Sequence, residues 1–145
     1  MKTLFNFLIK PASPQTTQYA LVFLRIAIGL LTIPHGIPKI MGGITGWTNL
    51  GTTFMFPLGI YFLPTLWGFL GACTEFFGGI ALTVGLGTRL ASFALTIMMI
   101  IALAWHLQRG DSMIAYGLAL TLIPIYFTFM IIGSGKFSAD SYLNS

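Results

Sequence analysis

Residues 18–39 read QYALVFLRIAIGLLTIPHGIPK, and Arg25 is the one charged side chain before Lys39 closes the stretch. At 1.5 Å per residue, residues 18–35 come close to spanning a hydrocarbon core of about 30 Å. Backbone groups in lipid must be satisfied inside the segment itself, and the stretch shows no period-2 alternation. It therefore reads as a transmembrane helix. Three further apolar segments, residues 64–85, 89–106 and 113–132, read the same way. The expected fold is all-α: a polytopic membrane protein built as an antiparallel four-transmembrane-helix bundle, one domain over residues 1–145.

Composition agrees. The chain is 56% hydrophobic and only 7% charged, against about 25% charged in ordinary soluble domains, and its mean hydropathy is +0.88. The net charge of +4 is spread over single residues. No basic cluster exists that tracks a phosphate backbone, so nucleic acid is excluded as a partner. Cys73 is the sole cysteine, which rules out an internal disulfide, a dithiol pair and a cysteine-built zinc site.

The connections are short except for the first. Residues 37–63 are rich in glycine and aromatics, with Trp47, Phe54, Phe56, Tyr61 and Phe62, a composition suited to the bilayer surface. A short interfacial helix is expected near residues 48–55. At the N-terminus, Lys2 and Lys10 flank an apolar run over residues 4–9. That run is too short for a signal-peptide core and reads as an interfacial segment stopped by Pro11 and Pro14. Pro124 predicts a kink in the fourth helix, with Thr121 and Thr128 placed to absorb part of the freed hydrogen bonding. Lys2, Lys10, Arg89 and Lys136 on one side outnumber Lys39 and Arg109 on the other, so both termini are expected to be cytoplasmic.

Two charges lie within the apolar segments, Arg25 and Glu75. An ionisable group at such depth costs roughly 2.5–3.5 kcal/mol on insertion scales and is expected to be paired or to face a cavity. Counted from the apparent helix ends, Arg25 lies roughly 10 Å from the inner side and Glu75 roughly 14 Å. The expectation is a buried Arg25–Glu75 pair on antiparallel neighbours. The same count puts His35 and His106 together about 25 Å from the inner face. Arg25, Thr32, His35 and Lys39 share a helix face at 100° per residue. Gly68, Gly71, Glu75, Gly79 and Thr83 form a small-residue stripe of the kind that lets membrane helices approach closely.

The order and spacing of these residues resemble the DoxX family. Arg25-Ile26, Gly29 and His35-Gly36-x-x-Lys39 are similar to its first-helix pattern. Glu75-x-x-Gly78-Gly79-x-x-Leu82-x-x-Gly85-x-x-Thr88-Arg89 resembles its second, and His106 ends the third helix. Gly133-x-Gly135-Lys136-x-Ser138-x-Asp140 resembles the family's polar tail signature, with Ala139 between its Ser and Asp. The resemblance implies a four-helix protein of the bacterial inner membrane, related to the DoxD subunit of thiosulfate:quinone oxidoreductase and often oxidoreductase-associated. It supports the fold more than the function.

The Arg25–Glu75 pair reads equally as a packing clip and as a proton-handling or head-group-anchoring site. The candidate ligand contacts above it are His35, Lys39, His106, Trp105 and Thr32. A quinone head group fits these best, because its carbonyls need donors such as His or Lys and its tail needs lipid access. Bis-histidine haem ranks below it, since two rings must face each other across a gap. A metal ranks lower still, for want of a third dedicated ligand. Trp47 and Trp67 read as interface anchors, the methionines as core, and Arg109 and Asp111 as a solvated loop. The leading expectation is an accessory or binding subunit holding a lipophilic redox-active molecule, as a homodimer or within a membrane redox complex. If it belongs to an enzyme, that enzyme is a quinone-linked oxidoreductase. The alternatives are a structural or assembly partner of a membrane complex and an oligomeric transporter of small solutes.

Overall fold

The structure, a computed structural model, describes residues 10–145; the interfacial segment expected over residues 4–9 lies outside them. Every regular element among the described residues is helical. α1 spans Pro14–Ile40, α2 Gly43–Met55, α3 Pro64–Val84, α4 Thr88–Gln108, α5 Met113–Ile132 and α6 Ala139–Leu143, with a 3₁₀ turn at Phe56–Leu58. α1, α3, α4 and α5 are long and apolar enough to cross a membrane. The protein is a multi-pass membrane protein in contact with the lipid bilayer. Phe23, Leu90 and Ile114 are among the many large apolar side chains on its outside.

α1 is longer than the sequence suggested. Ser13 caps it by accepting from the Thr16 amide at 3.1 Å, and Pro14 occupies the first turn, where its missing N–H costs nothing. Pro34 and Pro38 lie inside the helix without ending it. A neighbour packed this closely tolerates the carbonyls they free. In α5 the Thr121 and Thr128 hydroxyls donate to Gly117 and Pro124, not to the Leu120 carbonyl that Pro124 leaves open.

Helix spacing is set by glycine. A Cβ at Gly36 would lie 2.6 Å from the Phe76 backbone, and one at Gly29 would lie 2.7 Å from the Thr83 amide nitrogen. These contacts hold α1 and α3 backbone to backbone, the close approach that small residues permit in lipid. α2 packs on α3 in the same manner: a Cβ at Gly68 would lie 2.6 Å from the Trp47 carbonyl carbon. The small-residue stripe of α3 is thus consumed within the chain. The long first connection does more than lie on the surface, because Phe54 and Met55 of α2 form a buried cluster with Met98 in the middle of α4. α4 packs on α5 and α3 on α4. A second cluster of Ile28, Leu82, Leu95, Leu122, Tyr126 and Phe129 joins all four spans.

The expected Arg25–Glu75 pair does not form. Arg25 is buried, but its guanidinium donates to the carbonyls of Ser134 at 2.6 Å and Phe137 at 3.0 Å in the segment after α5. Glu75 pairs with Lys39 instead. The glycine contacts explain the difference. They fix a register in which Arg25 faces Gly85, ten residues or about 15 Å along α3 from the carboxylate. Depth counted from the apparent ends of the two apolar runs assumes that both stop in one plane. α1 continues to Ile40, so its last turn, not its first half, reaches Glu75.

The tail completes the end of the bundle at which α1 begins and α5 ends. The Asp140 carboxylate accepts from the amides of Gly87 at 2.7 Å and Thr88 at 3.1 Å, capping α4, while its own amide donates to Gly85. Gly85 and Gly87 both have positive φ (77° and 58°), which makes the α3–α4 turn tight. The Lys136 amide donates to Gln18 of α1. This is the terminal side of the bundle; the α1–α2 and α4–α5 connections lie at the opposite, loop side.

Candidate functional site

α1 and α5 scarcely touch, and between them lies an open cleft of about 250 Å³. α1 contributes Thr32, His35 and Lys39, α3 Glu75, α4 His106 and α5 Tyr126. Phe54, Leu118, Leu122 and several other apolar side chains complete its walls. His35 and Leu31 on α1 and Leu118 on α5 are exposed at the mouth. In a bilayer these positions face lipid, so the cleft opens sideways, towards the loop half of the protein.

Each polar group has a definable state. Lys39 comes from the last turn of α1, where a side chain leans back along the helix and reaches α3. Its ammonium donates to Glu75 Oε1 and lies 5.8 Å from the Phe54 ring centroid, near enough for a cation–π contact. Glu75 is only 4% exposed, and its second oxygen, Oε2, has no protein partner. The Thr32 hydroxyl donates to the Ile28 carbonyl at 2.7 Å and lies 2.7 Å from the Tyr126 hydroxyl. A hydroxyl has one proton, so Tyr126 is the donor in that second bond. His106 Nδ1 lies 2.8 Å from Asp111 Oδ2. A carboxylate only accepts, so Nδ1 carries the proton and the ring is oriented.

Four of the five ligand contacts expected from sequence, Thr32, His35, Lys39 and His106, line this one cleft. Trp105 does not. Its ring stacks under the Arg109 guanidinium, 4.6 Å from the centroid, and meets the His106 ring edge-on. Asp111 is a partner of His106 and of Arg109 rather than a solvated loop residue. Arg25 is remote from the cleft and serves the tail.

The DoxX family model matches residues 20–108, more than half of the chain. The chain belongs to the DoxX family. No curated protein and no solved structure matches it. The matched region of this DoxX protein contains Arg25, Thr32, His35, Lys39, Glu75 and His106. It stops before α5, so the Tyr126 wall, Asp111 and the Asp140 cap lie beyond it.

Tyr126, Asp111 and Phe54 are the site residues that sequence reading missed. Tyr126 carried a signal: Ala119, Leu122, Tyr126 and Phe129 recur at helical spacing, and a tyrosine on that stripe needs a hydroxyl partner. Asp111 carried a weaker one, five residues beyond His106. Phe54 was visible only as one of the aromatics of the first connection, because its depth depends on how that connection folds.

Proposed function

We propose that this DoxX protein is a binding or accessory subunit that holds the ring of a lipophilic redox-active molecule, of the quinone class, in the cleft between α1 and α5. The observation that carries the reading is the cleft's composition: apolar walls open to the membrane, with Lys39, Glu75, His106 and Tyr126 grouped at one end. A ligand pocket of this kind places a few convergent polar groups in an apolar surround. The side opening lets a hydrocarbon tail remain in lipid. A volume of about 250 Å³ falls just under the roughly 300–1,000 Å³ of sites that enclose a whole drug-sized ligand, which suits a single ring better than a haem macrocycle. The Lys39 ammonium polarises a ring oxygen, and His106, oriented by Asp111, offers a second polar contact.

The setting we propose is the bacterial inner membrane with both termini cytoplasmic. The loop side carries Lys39 and Arg109, paired with Glu75 and Asp111, against Lys10, Arg89 and Lys136 on the terminal side. A purely structural role draws less support, since the glycine stripe that would serve a partner is filled by α1 and α2. The test is mass spectrometry of organic extracts of the purified protein, together with thermal shifts on adding quinone analogues. Retained ring compounds and a concentration-dependent rise in melting temperature are expected. Neither appearing would refute the reading.

A further inference from the structure

Among the cleft-lining residues, the buried side-chain polar atom that lacks a hydrogen-bond partner is an acceptor, Glu75 Oε2. The Tyr126 proton is spent on Thr32 and the Thr32 proton on Ile28, so the phenol oxygen of Tyr126 can only accept. Nδ1 of His106 is bound to Asp111, so Nε2 is the ring nitrogen left for a ligand. The donor group of the cleft is the Lys39 ammonium, with one proton on Glu75 Oε1 and two left over; it is partly exposed and can be hydrated, whereas Glu75 is buried. His35, at the mouth, makes no assigned bond and adds one donor and one acceptor at most.

We infer that the cleft selects a ring bearing a hydroxyl group, and so binds the reduced quinol in preference to the oxidised quinone. The inference rests on the reading of the cleft as a lipophilic ring site. A quinol brings an O–H donor for Glu75 Oε2 and satisfies an anionic oxygen that otherwise sits buried without a partner, an arrangement native proteins rarely leave in place. A quinone presents acceptors only. It meets Lys39, but it sets a carbonyl lone pair against the carboxylate and leaves Oε2 desolvated. A site built to pair with a hydroxyl rejects the analogue that lacks one because its own buried group then goes unpaired. One hydrogen bond to a charged group corresponds to roughly a 10- to 100-fold difference in affinity.

Three probes test this on the purified protein in detergent without oxygen: tetramethylhydroquinone, tetramethylbenzoquinone and the dimethyl ether of the hydroquinone. The expected order has the hydroquinone binding roughly 10- to 100-fold tighter than either of the others, because methylation removes the donor without changing the ring. Quinone binding equal to or tighter than hydroquinone binding overturns the inference, as does an ether that binds as well as the hydroquinone. Failure of all three to bind removes the site reading itself, and the inference with it. Glu75→Gln supplies an amide donor at the same place and should bring the hydroquinone-to-quinone ratio to unity or reverse it. If that variant does not fold, the ether comparison on the native protein decides alone.

Discussion

Replacing Lys39 by methionine should destabilise this protein by about 3 kcal/mol. The substitution keeps the length and apolar stem of the side chain and removes the charge. It leaves Glu75, 4% exposed, without its cation. Breaking a fully buried pair costs about 3–5 kcal/mol. The lysine side chain is 31% exposed and the carboxyl is free to take up a proton, so the low end, about 3 kcal/mol, applies. Glu75→Met should cost less, about 1 kcal/mol, because a flexible ammonium can swing towards water. The double variant replaces both charges with apolar side chains and should lose about 2 kcal/mol, less than the two single changes together. The coupling is then about 2 kcal/mol, within the span of contacting residues. Equilibrium unfolding in mixed micelles, followed by the fluorescence of the three tryptophans, measures each arm. A coupling under about 0.5 kcal/mol would refute the pairing. The companion cycle of Arg25→Met with Glu75→Met should be additive, since the two groups sit nearly three helical turns apart.

Gly36→Val should push α1 away from the Phe76 backbone and cost about 2–3 kcal/mol by overpacking, whereas Gly46→Ala, with open space around its Cβ, should be neutral or slightly stabilising in the same unfolding assay. Asp140 reports on the tail. Burial raises its pKa, but the amides of Gly87 and Thr88 outweigh that and hold it below the ordinary carboxylate value of 3.8. A depressed native pKa contributes stability that is full above the unfolded value and is lost as pH falls through the native one. Protease cleavage of the tail should therefore stay slow above about pH 4 and speed up below it, and Asp140→Asn should flatten that profile at a cost of about 1 kcal/mol. His106→Phe should weaken hydroquinone binding by roughly tenfold, as expected for one lost hydrogen bond, with the melting temperature little changed; Asp111→Asn, which disturbs only the orientation of the ring, should do so by less.

The fold was legible because lipid leaves a hydrophobic segment so few options. α3, α4 and α5 begin and end within two residues of their expected bounds. α1 was underestimated, since Pro34 and Pro38 look like stop signals when no neighbour is in view. The membership of Thr32, His35, Lys39 and His106 in one cleft could be read from helix faces and levels. The pairing of charges could not. It depends on axial register, and register is set by where glycines let two backbones touch, as at Gly29 and Gly36. The motif with Ser138 and Asp140 was visible as a pattern, but its purpose, receiving Arg25 and capping α4, needs the tail folded back across the bundle.

That tail has a mechanical consequence. It ties α1 through Arg25 and the α3–α4 turn through Asp140, both at one end. Between α1 and α5 higher up, only the Thr32–Tyr126 hydrogen bond crosses the gap. The assembly thus resembles a clothes-peg with its spring at the terminal side: any widening that admits a guest pivots there, and its jaws part towards the loop side, where His35 stands.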